Sequence, residues 1–199
     1  MPERYPLEVR RLTGASLGAA IPKIAALRIE VFRDWPYLYD GDLAYEESYL
    51  APYRDNSDAV LVGAFADGTL VGAATAMPLQ AHADSFAAAF ADSKYDPKNL
   101  FYCAESVLLP QYRGQGAGHA FFDLRESAAR EQGFAHVTFC AVVRPPVHPA
   151  CPDNYRPLDT FWRARGYRPL SGVTANFDWK DIGEQFESTK CLPFWLRDL

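Results

Sequence analysis

The sequence has no long apolar run. No stretch reaches the roughly 18 consecutive apolar residues that a helix needs to cross a membrane. The first residues, Met1-Pro2-Glu3-Arg4, are polar and differ from the apolar segment of a secretory signal peptide. These two absences predict a cytoplasmic protein that has no membrane partner.

Cysteine is also scarce. The chain has 4 cysteines in 199 residues, and none of them has the C-x-x-C spacing of redox and zinc motifs. A chain of this length can bury a core without a disulfide framework, so we expect reduced thiols. His148 and Cys151 supply two ligands on one loop, fewer than a structural zinc site needs, and we expect no metal.

Positively charged residues are fewer than negatively charged ones. Lysine and arginine together number 20 against 25 aspartates and glutamates, which gives a net charge of −5. Binding of nucleic acid favours a basic face, so we expect no nucleic-acid partner. The sequence shows no internal repeat, low-complexity segment or linker, and 49% of its residues are hydrophobic. We therefore expect a single domain over residues 1–199.

The most informative stretch that is present is a glycine-rich loop. An apolar run that ends at Leu109 is followed by Pro110 and then by Arg113-Gly114-Gln115-Gly116-Ala117-Gly118. We interpret it as a strand, a tight turn and the start of a helix, where successive N–H groups can bind phosphate oxygens. His119 follows where a P-loop needs lysine, and the glycine spacing differs from the G-x-G-x-x-G of dinucleotide-binding proteins.

Two blocks of the sequence resemble the GCN5-related N-acetyltransferase (GNAT) superfamily. The stretch 110–118 is similar to its acyl-coenzyme A signature, Q/R-x-x-G-x-G/A. Phe161-Trp162-Arg163-Ala164-Arg165-Gly166-Tyr167 is similar to its second conserved block, with Trp162 where the family usually has tyrosine. The order of the predicted elements agrees with this family over most of the chain.

The resemblance implies a fold and a cosubstrate. The expected fold is mixed α+β, with three α/β/α layers around a mostly antiparallel, twisted sheet of about six or seven strands. The sheet is expected to splay at the strand before the glycine loop. The implied cosubstrate is acetyl-CoA, and a homodimer formed by pairing of exposed strands is common in the family.

The resemblance also implies where acetyl-CoA would bind. The pantetheine is expected along the backbone of Val107, Leu108 and Leu109. The pyrophosphate is expected on the amides of Gly114, Gln115, Gly116, Ala117, Gly118 and His119. Arg113 is expected to set the loop or to place a charge near the phosphates, and the alternative is a surface ion pair.

Direct acyl transfer from a thioester to an amine needs a base for the amine and an acid for the departing thiolate. Glu105 is the candidate base, because it interrupts an apolar run where a carboxyl group holds its proton more tightly than in water. The alternative is a structural, ion-paired glutamate. Trp162 cannot act as an acid, so Tyr155 in the proline-rich loop is the candidate acid. Tyr167, Cys140 and ordered water are alternatives, and Tyr155 can equally serve packing.

An aromatic loop follows the first predicted helix and is the candidate acceptor site. It contains Trp35, Tyr37 and Tyr39 among the acids Asp34, Asp40 and Asp42. Rings beside carboxylates suit a cationic, partly apolar amine, and the alternative is an aromatic plug over the core with solvated acids. We expect a small-molecule amine acceptor. A peptide or protein amine is the alternative acceptor. The alternative function is a non-catalytic module that binds or senses acyl-CoA.

Apolar periodicity and turn residues predict the elements. The predicted strands are 7–12, 59–65, 69–77, 100–109, 136–143, 173–179 and 190–196, and the predicted helices are 21–33, 43–54, 85–92, 158–165 and one that runs from 117 to a cap at Gly133. On that last helix, Asp123, Glu126, Arg130 and Glu131 are predicted to face water.

Overall fold

The computed structural model describes residues 6–82, 84–145 and 147–199. Within these residues, seven strands form one sheet in the order β1-β2-β3-β4-β5-β7-β6. The strands are β1 Leu7–Leu12, β2 Val60–Ala66, β3 Thr69–Pro78, β4 Leu100–Leu108, β5 His136–Cys140, β6 Arg168–Trp179 and β7 Ser188–Asp198. Neighbours are antiparallel except β4 and β5, which are parallel. The mostly antiparallel sheet confirms the expected fold class; the polar start of the chain lies outside the described residues.

Helices cover both faces of the sheet. They are α1 Gly14–Phe32, α2 Leu43–Asp55, α3 Asp84–Ala88, α4 Ala117–Glu131 and α5 Asp159–Ala164. Apolar residues of α1 and α2 pack on one face, with Leu61 and Ala73 of the sheet. Phe121 and Phe122 of α4 pack on the other face, with Val62. The result is the expected three-layer arrangement. None of the helices within the described ranges has the length and apolar character needed to cross a membrane.

The helix predicted over 85–92 ends already at Ala88. Two other elements begin well before their predicted starts, for identifiable reasons. Helix α1 begins at Gly14 rather than at 21, with Pro22 inside it. A proline usually marks a first turn, but here the helix is capped earlier, where the Thr13 N–H donates to the Ser16 hydroxyl at 3.2 Å. Strand β6 begins at Arg168 rather than at 173, because its first residues pair with β7 before a register shift between Pro169 and Thr174.

The sheet opens between β4 and β5. Their parallel pairing is limited to Leu100–Tyr102 against His136–Thr138. Beyond Cys140, where the predicted strand ran on to 143, the chain instead follows β7, and Ala141 N–H donates to the Pro193 carbonyl at 3.3 Å. The two strands therefore diverge, as expected of the strand before the glycine loop.

Strand β4 carries a bulge at the start of this opening. Ala74 of β3 faces Ser106, whereas Ala76 faces Cys103, so β4 has one extra residue at Ala104–Glu105. A bulge of this kind interrupts the ladder and re-aims a side chain. Here it allows Glu105 to face the interior at the mouth of the opening.

Candidate active site

The glycine loop forms the N-terminus of α4. Gly114 has φ 75° and Gly116, the N-cap of the helix, has φ 89°. Residues with a Cβ rarely adopt these conformations, so the loop depends on glycine at both positions. The first N–H groups of a helix have no partner within it, so those of Ala117, Gly118 and His119 can bind an anion, whereas the N–H of Ala120 donates to the Gly116 carbonyl at 3.2 Å. Arg113 is exposed, and its Nε donates to the Leu108 carbonyl at 3.2 Å, which fixes the loop to β4.

A cavity of about 790 Å³ lies between this loop, the opening of the sheet and α5, and we call it the glycine-loop cleft. Among the residues predicted to hold the cosubstrate, those that line it are Leu108, Arg113, Gly114, Gly116, Ala117, Gly118 and His119. Val107 is buried in the core next to α1. The N–H of Leu109 donates to the Val71 carbonyl at 3.0 Å. Gln115 lies between the two glycines of positive φ.

Glu105 belongs to a buried cluster of one cation and two carboxylates. Its side chain is buried, with 5% of the residue exposed, and its Oε2 lies 2.7 Å from Nη1 of Arg28. The same arginine pairs with Glu46 of α2, which is fully buried. Among the described residues, Oε1 of Glu105 and Oε1 of Glu46 have no hydrogen-bond partner. With both carboxylates ionised, the cluster carries one uncompensated negative charge.

Arg28 stays charged in this setting. Burial alone would lower its pKa, but the carboxylates of Glu105 and Glu46 and the hydroxyl of Tyr49 outweigh that effect and raise it. Its guanidinium also lies over the ring of Tyr49, 4.2 Å from the centroid.

A second cavity, of about 600 Å³, lies on the other side of Glu105, and we call it the aromatic cavity. Its walls come from α1, α2, the loop between them and the β6–β7 connection. The rings that line it are Phe32, Tyr37, Tyr39, Tyr45, Tyr49, Phe86, Tyr102, Phe177, Trp179 and Phe186. The two cavities share Phe32, Tyr37, Ala104, Glu105 and Cys140 as lining residues. The candidate base therefore stands where they meet.

The three aromatic residues predicted to bind an acceptor separate into two groups. Tyr37 and Tyr39 line the aromatic cavity. Burial and the nearby Cys140 raise the pKa of Tyr37, and burial and Glu46 raise that of Tyr39, so both hydroxyls stay protonated. Trp35 packs instead on His148, with ring centroids 4.9 Å apart, and on Tyr155, at 5.9 Å.

The loop between α1 and α2 is fastened to the β6–β7 connection. Arg144 pairs with Asp181 at 2.6 Å and donates to the Tyr37 carbonyl. Lys190 reaches the same aspartate at 3.2 Å. The N–H of Ile182 donates to the Leu38 carbonyl at 2.7 Å, so two walls of the aromatic cavity are held together.

The candidate acids differ in position. Tyr155 is 37% exposed and lines the glycine-loop cleft, and partial burial and Asp159 raise its pKa. Tyr167 is buried and its hydroxyl donates to Glu126 at 2.9 Å, away from both cavities. Cys140 lies at the junction, 3.2 Å from the Tyr102 hydroxyl, and burial raises its pKa to about 12. The thiol therefore stays protonated at neutral pH.

Sequence reasoning missed several buried charged residues. Glu126 was predicted to face water, but it is buried and accepts hydrogen bonds from Arg165, Arg197 and Tyr167. Arg28 follows Ile21 and Ile24 at helical spacing on the apolar side of α1, and a cation at that position is a signal that could have been found. Within the part of the chain that the structure describes, no group of three His, Cys, Asp or Glu residues could hold a metal ion.

Residues 24–152 match the model of the acetyltransferase (GNAT) family. Among curated proteins, none matches the chain. A GCN5-related N-acetyltransferase from Kribbella flavida has 19% sequence identity and a TM-score of 0.62, over 97% of this chain and 98% of that one.

Two further solved structures have the same fold. The ribosomal-protein-alanine N-acetyltransferase from Brucella melitensis is 15% identical, with a TM-score of 0.61 over 96% of this chain and 99% of that one. The PaiA N-acetyltransferase from Thermoplasma acidophilum, in complex with coenzyme A, is 15% identical, with a TM-score of 0.53 over 98% and 99%. At these identities the likeness shows the fold alone.

Proposed function

The chain belongs to the GNAT family of acetyltransferases, and we propose that it transfers the acetyl group of acetyl-CoA to a small, cationic and partly apolar amine. The acceptor occupies the aromatic cavity, and the transfer is direct, within a complex of enzyme, donor and acceptor. The observation that carries the proposal is the meeting of the two cavities at Glu105. Each substrate then has its own cavity, and their reactive groups face one another at the shared residues.

The glycine-loop cleft fits the donor. The N–H groups at the start of α4 suit the pyrophosphate, and the positive φ of Gly114 and Gly116 keeps the loop open to it. The pantetheine would lie in the opening between β4 and β5, where β4 has no strand partner beyond Tyr102 on that side within the described residues. The thioester supplies an acyl group that is already activated towards attack by nitrogen.

Glu105 acts as the base in this proposal. An aliphatic ammonium must lose a proton before its nitrogen can attack, and a carboxylate at the junction can receive that proton. The C–N bond then forms as the C–S bond breaks. Arg28 fixes the carboxylate through Oε2 and leaves Oε1 available to the amine.

Two tyrosines can return a proton to the thiolate. Tyr155 lines the cleft that would hold the pantetheine, as the sequence-based hypothesis requires. Tyr37 lines both cavities, and its hydroxyl interacts electrostatically with Glu105 and Tyr155. Replacement of each by phenylalanine distinguishes them. Only the replacement of the residue that acts as the acid should lower kcat without changing the KM of acetyl-CoA.

The aromatic cavity matches a small cationic acceptor. Its volume of about 600 Å³ lies within the range of small-molecule sites, roughly 300–1,000 Å³. The rings attract a cation through their faces, and the uncompensated charge of the cluster at Glu46 and Glu105 adds to that attraction.

An amine panel tests the proposal. Phenethylamine, tyramine, tryptamine and benzylamine are incubated with acetyl-CoA, and the acetylated products are identified by mass spectrometry. We expect acetylation of at least one of them, and its loss in Glu105→Gln with retained binding of CoA. Acetylation of peptide amines alone would favour a protein acceptor. Failure to bind CoA, or binding without acetylation of any amine, would contradict the proposal.

A further inference from the structure

We propose that the aromatic cavity holds a second cation near its mouth and that the acceptor is therefore an aliphatic diamine. The inference rests on the function proposed above, because it takes this cavity as the acceptor site and Glu105 as the place where one amino group reacts. The second position, which we call the outer subsite, consists of Tyr39, Tyr45, Glu46 and Glu187. It would hold the amino group that is not acetylated.

The walls of the aromatic cavity carry an excess of negative charge. The carboxylates that line it belong to Asp40, Asp42, Glu46, Glu105, Asp178 and Glu187. The cations of its walls, among the described residues, are Arg28 and Lys180. Both already have carboxylate partners, since Arg28 pairs with Glu46 and Glu105, and Lys180 pairs with Asp40 at 2.8 Å. A monoamine brings one positive charge to this excess, whereas a diamine brings two.

Glu46 supplies a buried carboxylate oxygen to which no group of the described protein bonds. The residue lines the cavity and is fully buried. Arg28 binds its Oε2, while its Oε1 has no hydrogen-bond partner in the described ranges. A buried carboxylate oxygen without a partner is costly, so its place in a cavity wall indicates a donor that a ligand supplies. An ammonium group, which has three N–H donors, can be that ligand.

Two tyrosine rings adjoin this carboxylate. Burial, followed by the charge of Glu46, raises the pKa of both Tyr39 and Tyr45, so the two hydroxyls lie near Glu46. Both hydroxyls stay protonated and both rings line the cavity without charge. Aromatic rings attract an ammonium ion, and Tyr45, which is 49% exposed, places this attraction at the mouth.

Glu187 completes the outer subsite from another wall. It lies in the connection between β6 and β7, whereas Tyr45 and Glu46 belong to α2. Its charge also contributes to the raised pKa of Tyr45, so the exposed carboxylate of one wall is a neighbour of the ring on the other. Within the part of the chain that the structure describes, Glu187 has no ion-pair partner. A cation at the mouth would therefore have a carboxylate on either side.

A short diamine can reach both positions. Glu46 and Glu105 pair with different nitrogens of the same guanidinium, Nε and Nη1 of Arg28, so their carboxylates are neighbours. Glu105 lines both cavities, whereas Glu46 lines the aromatic cavity alone. One nitrogen can thus face the thioester while the other, a few methylene groups away, lies in the outer subsite. The C–N bond forms at the first nitrogen as the C–S bond breaks, and the second ammonium keeps its protons.

The experiment compares each diamine with a monoamine of the same length, using the full chain. Putrescine, cadaverine and hexamethylenediamine are paired with pentylamine, hexylamine and heptylamine, in which a methyl group replaces one amino group. We expect kcat/KM of the best diamine to exceed that of its monoamine by about tenfold to a hundredfold, because only the diamine places a cation beside the rings and the buried carboxylate. The KM of acetyl-CoA should be the same with both.

Substitutions in the outer subsite should reduce this ratio of kcat/KM values. Glu46→Gln removes the buried charge and should lower the ratio about tenfold. Glu187→Gln removes an exposed charge and should lower it about twofold to fivefold. Glu184→Gln is the matched control, because Glu184 is an exposed glutamate of the same connection outside the cavity walls, and it should leave the ratio unchanged. General damage to the site would slow both amines alike and would not change the ratio.

The outcomes separate the diamine from the proposed function. A ratio near one in the unsubstituted protein, or a higher ratio that Glu46→Gln leaves unchanged, would overturn the outer subsite. If Glu46→Gln does not fold, the exposed Glu187→Gln variant takes its place in this comparison. If phenethylamine or another monoamine is acetylated and no diamine exceeds its monoamine, the proposed function stands and the diamine fails. If CoA binds and no amine of either set is acetylated, both fail together.

Discussion

Arg125 donates from Nη1 to the main-chain carbonyl of Glu105 at 3.0 Å, while the side chain of Glu105 pairs with Arg28. The two arginines belong to α4 and α1, which cover opposite faces of the sheet. Arg125 also donates to the Thr75 carbonyl at 3.2 Å, so it bonds to main-chain groups on both strands at the bulge. The backbone and the carboxylate of the candidate base are thus held from different sides.

Replacement of Arg125 by methionine should destabilise the fold. It leaves the carbonyls of Thr75 and Glu105 buried without this donor, at a cost of about 2–5 kcal/mol in the free energy of unfolding. Arg130, exposed in the last turn of the same helix, is the matched control, and Arg130→Met should change stability by less than about 0.5 kcal/mol. Urea unfolding measures both. Equal stability of the two variants would show that Arg125 does not support the bulge.

Replacement of Gly116 by alanine should weaken the binding of CoA. The position has φ 89°, which costs a residue with a Cβ about 1–2 kcal/mol, so the loop must bear the strain or change shape. Gly133, with φ 82° at the other end of α4, is the matched control. Gly133→Ala should lose similar stability and keep its affinity for CoA in calorimetric titration. Equal affinity in both variants would argue against the loop as the donor site.

Replacement of Glu46 by glutamine should raise the KM of the amine by about tenfold, which corresponds to about 1.4 kcal/mol of binding free energy. The substitution removes the charge of a fully buried carboxylate that lines the aromatic cavity. The KM of acetyl-CoA should not change. Glu47→Gln, an exposed neighbour on the same helix, is the control and should leave both values unaltered. A rise in both KM values for Glu46→Gln would indicate general damage to the site.

His82 should make the stability of the fold depend on pH. The folded protein holds its pKa near 4, while an unfolded histidine titrates near 6.5. Below about 6.5 the unfolded chain binds the proton first, so the contribution is fully present above that pH and is lost as the pH falls towards 4. The loss amounts to at most about 3 kcal/mol. We expect the free energies of unfolding of the unsubstituted protein and of His82→Gln, measured from pH 4 to 7, to converge at the acidic end. A difference between the two that does not change with pH would contradict this.

The sequence predicts those features of the fold that depend on local signals. Asp67 and Gly68 both adopt positive φ in the β2–β3 turn, as an Asp-Gly hairpin signal indicates. The glycine spacing and the second conserved block lead to the family and to the three-layer fold, both confirmed. The homodimer and the cytoplasmic location stay predictions.

The buried charges could not be predicted in the same way. The partners of Glu126 are Arg165, 39 residues away, and Arg197, 71 residues away, and helical periodicity contains no information about such contacts. Glu105 can be recognised from the sequence because it is an isolated acidic residue within an apolar strand. Its pairing with Arg28 depends on how α1 crosses the sheet, which the sequence pattern does not specify.

The separation of the two cavities allows the two specificities to vary independently. The aromatic cavity is built from α1, α2 and the β6–β7 connection, whereas the glycine-loop cleft is built from β4, α4 and α5, and five residues are common to both. If the proposed assignment of the two cavities holds, substitutions at Tyr39, Tyr45 or Phe186 change the size and charge of the amine that fits without touching the residues that line the proposed donor side. One donor site can in this way serve a succession of acceptors, each selected by a different set of walls.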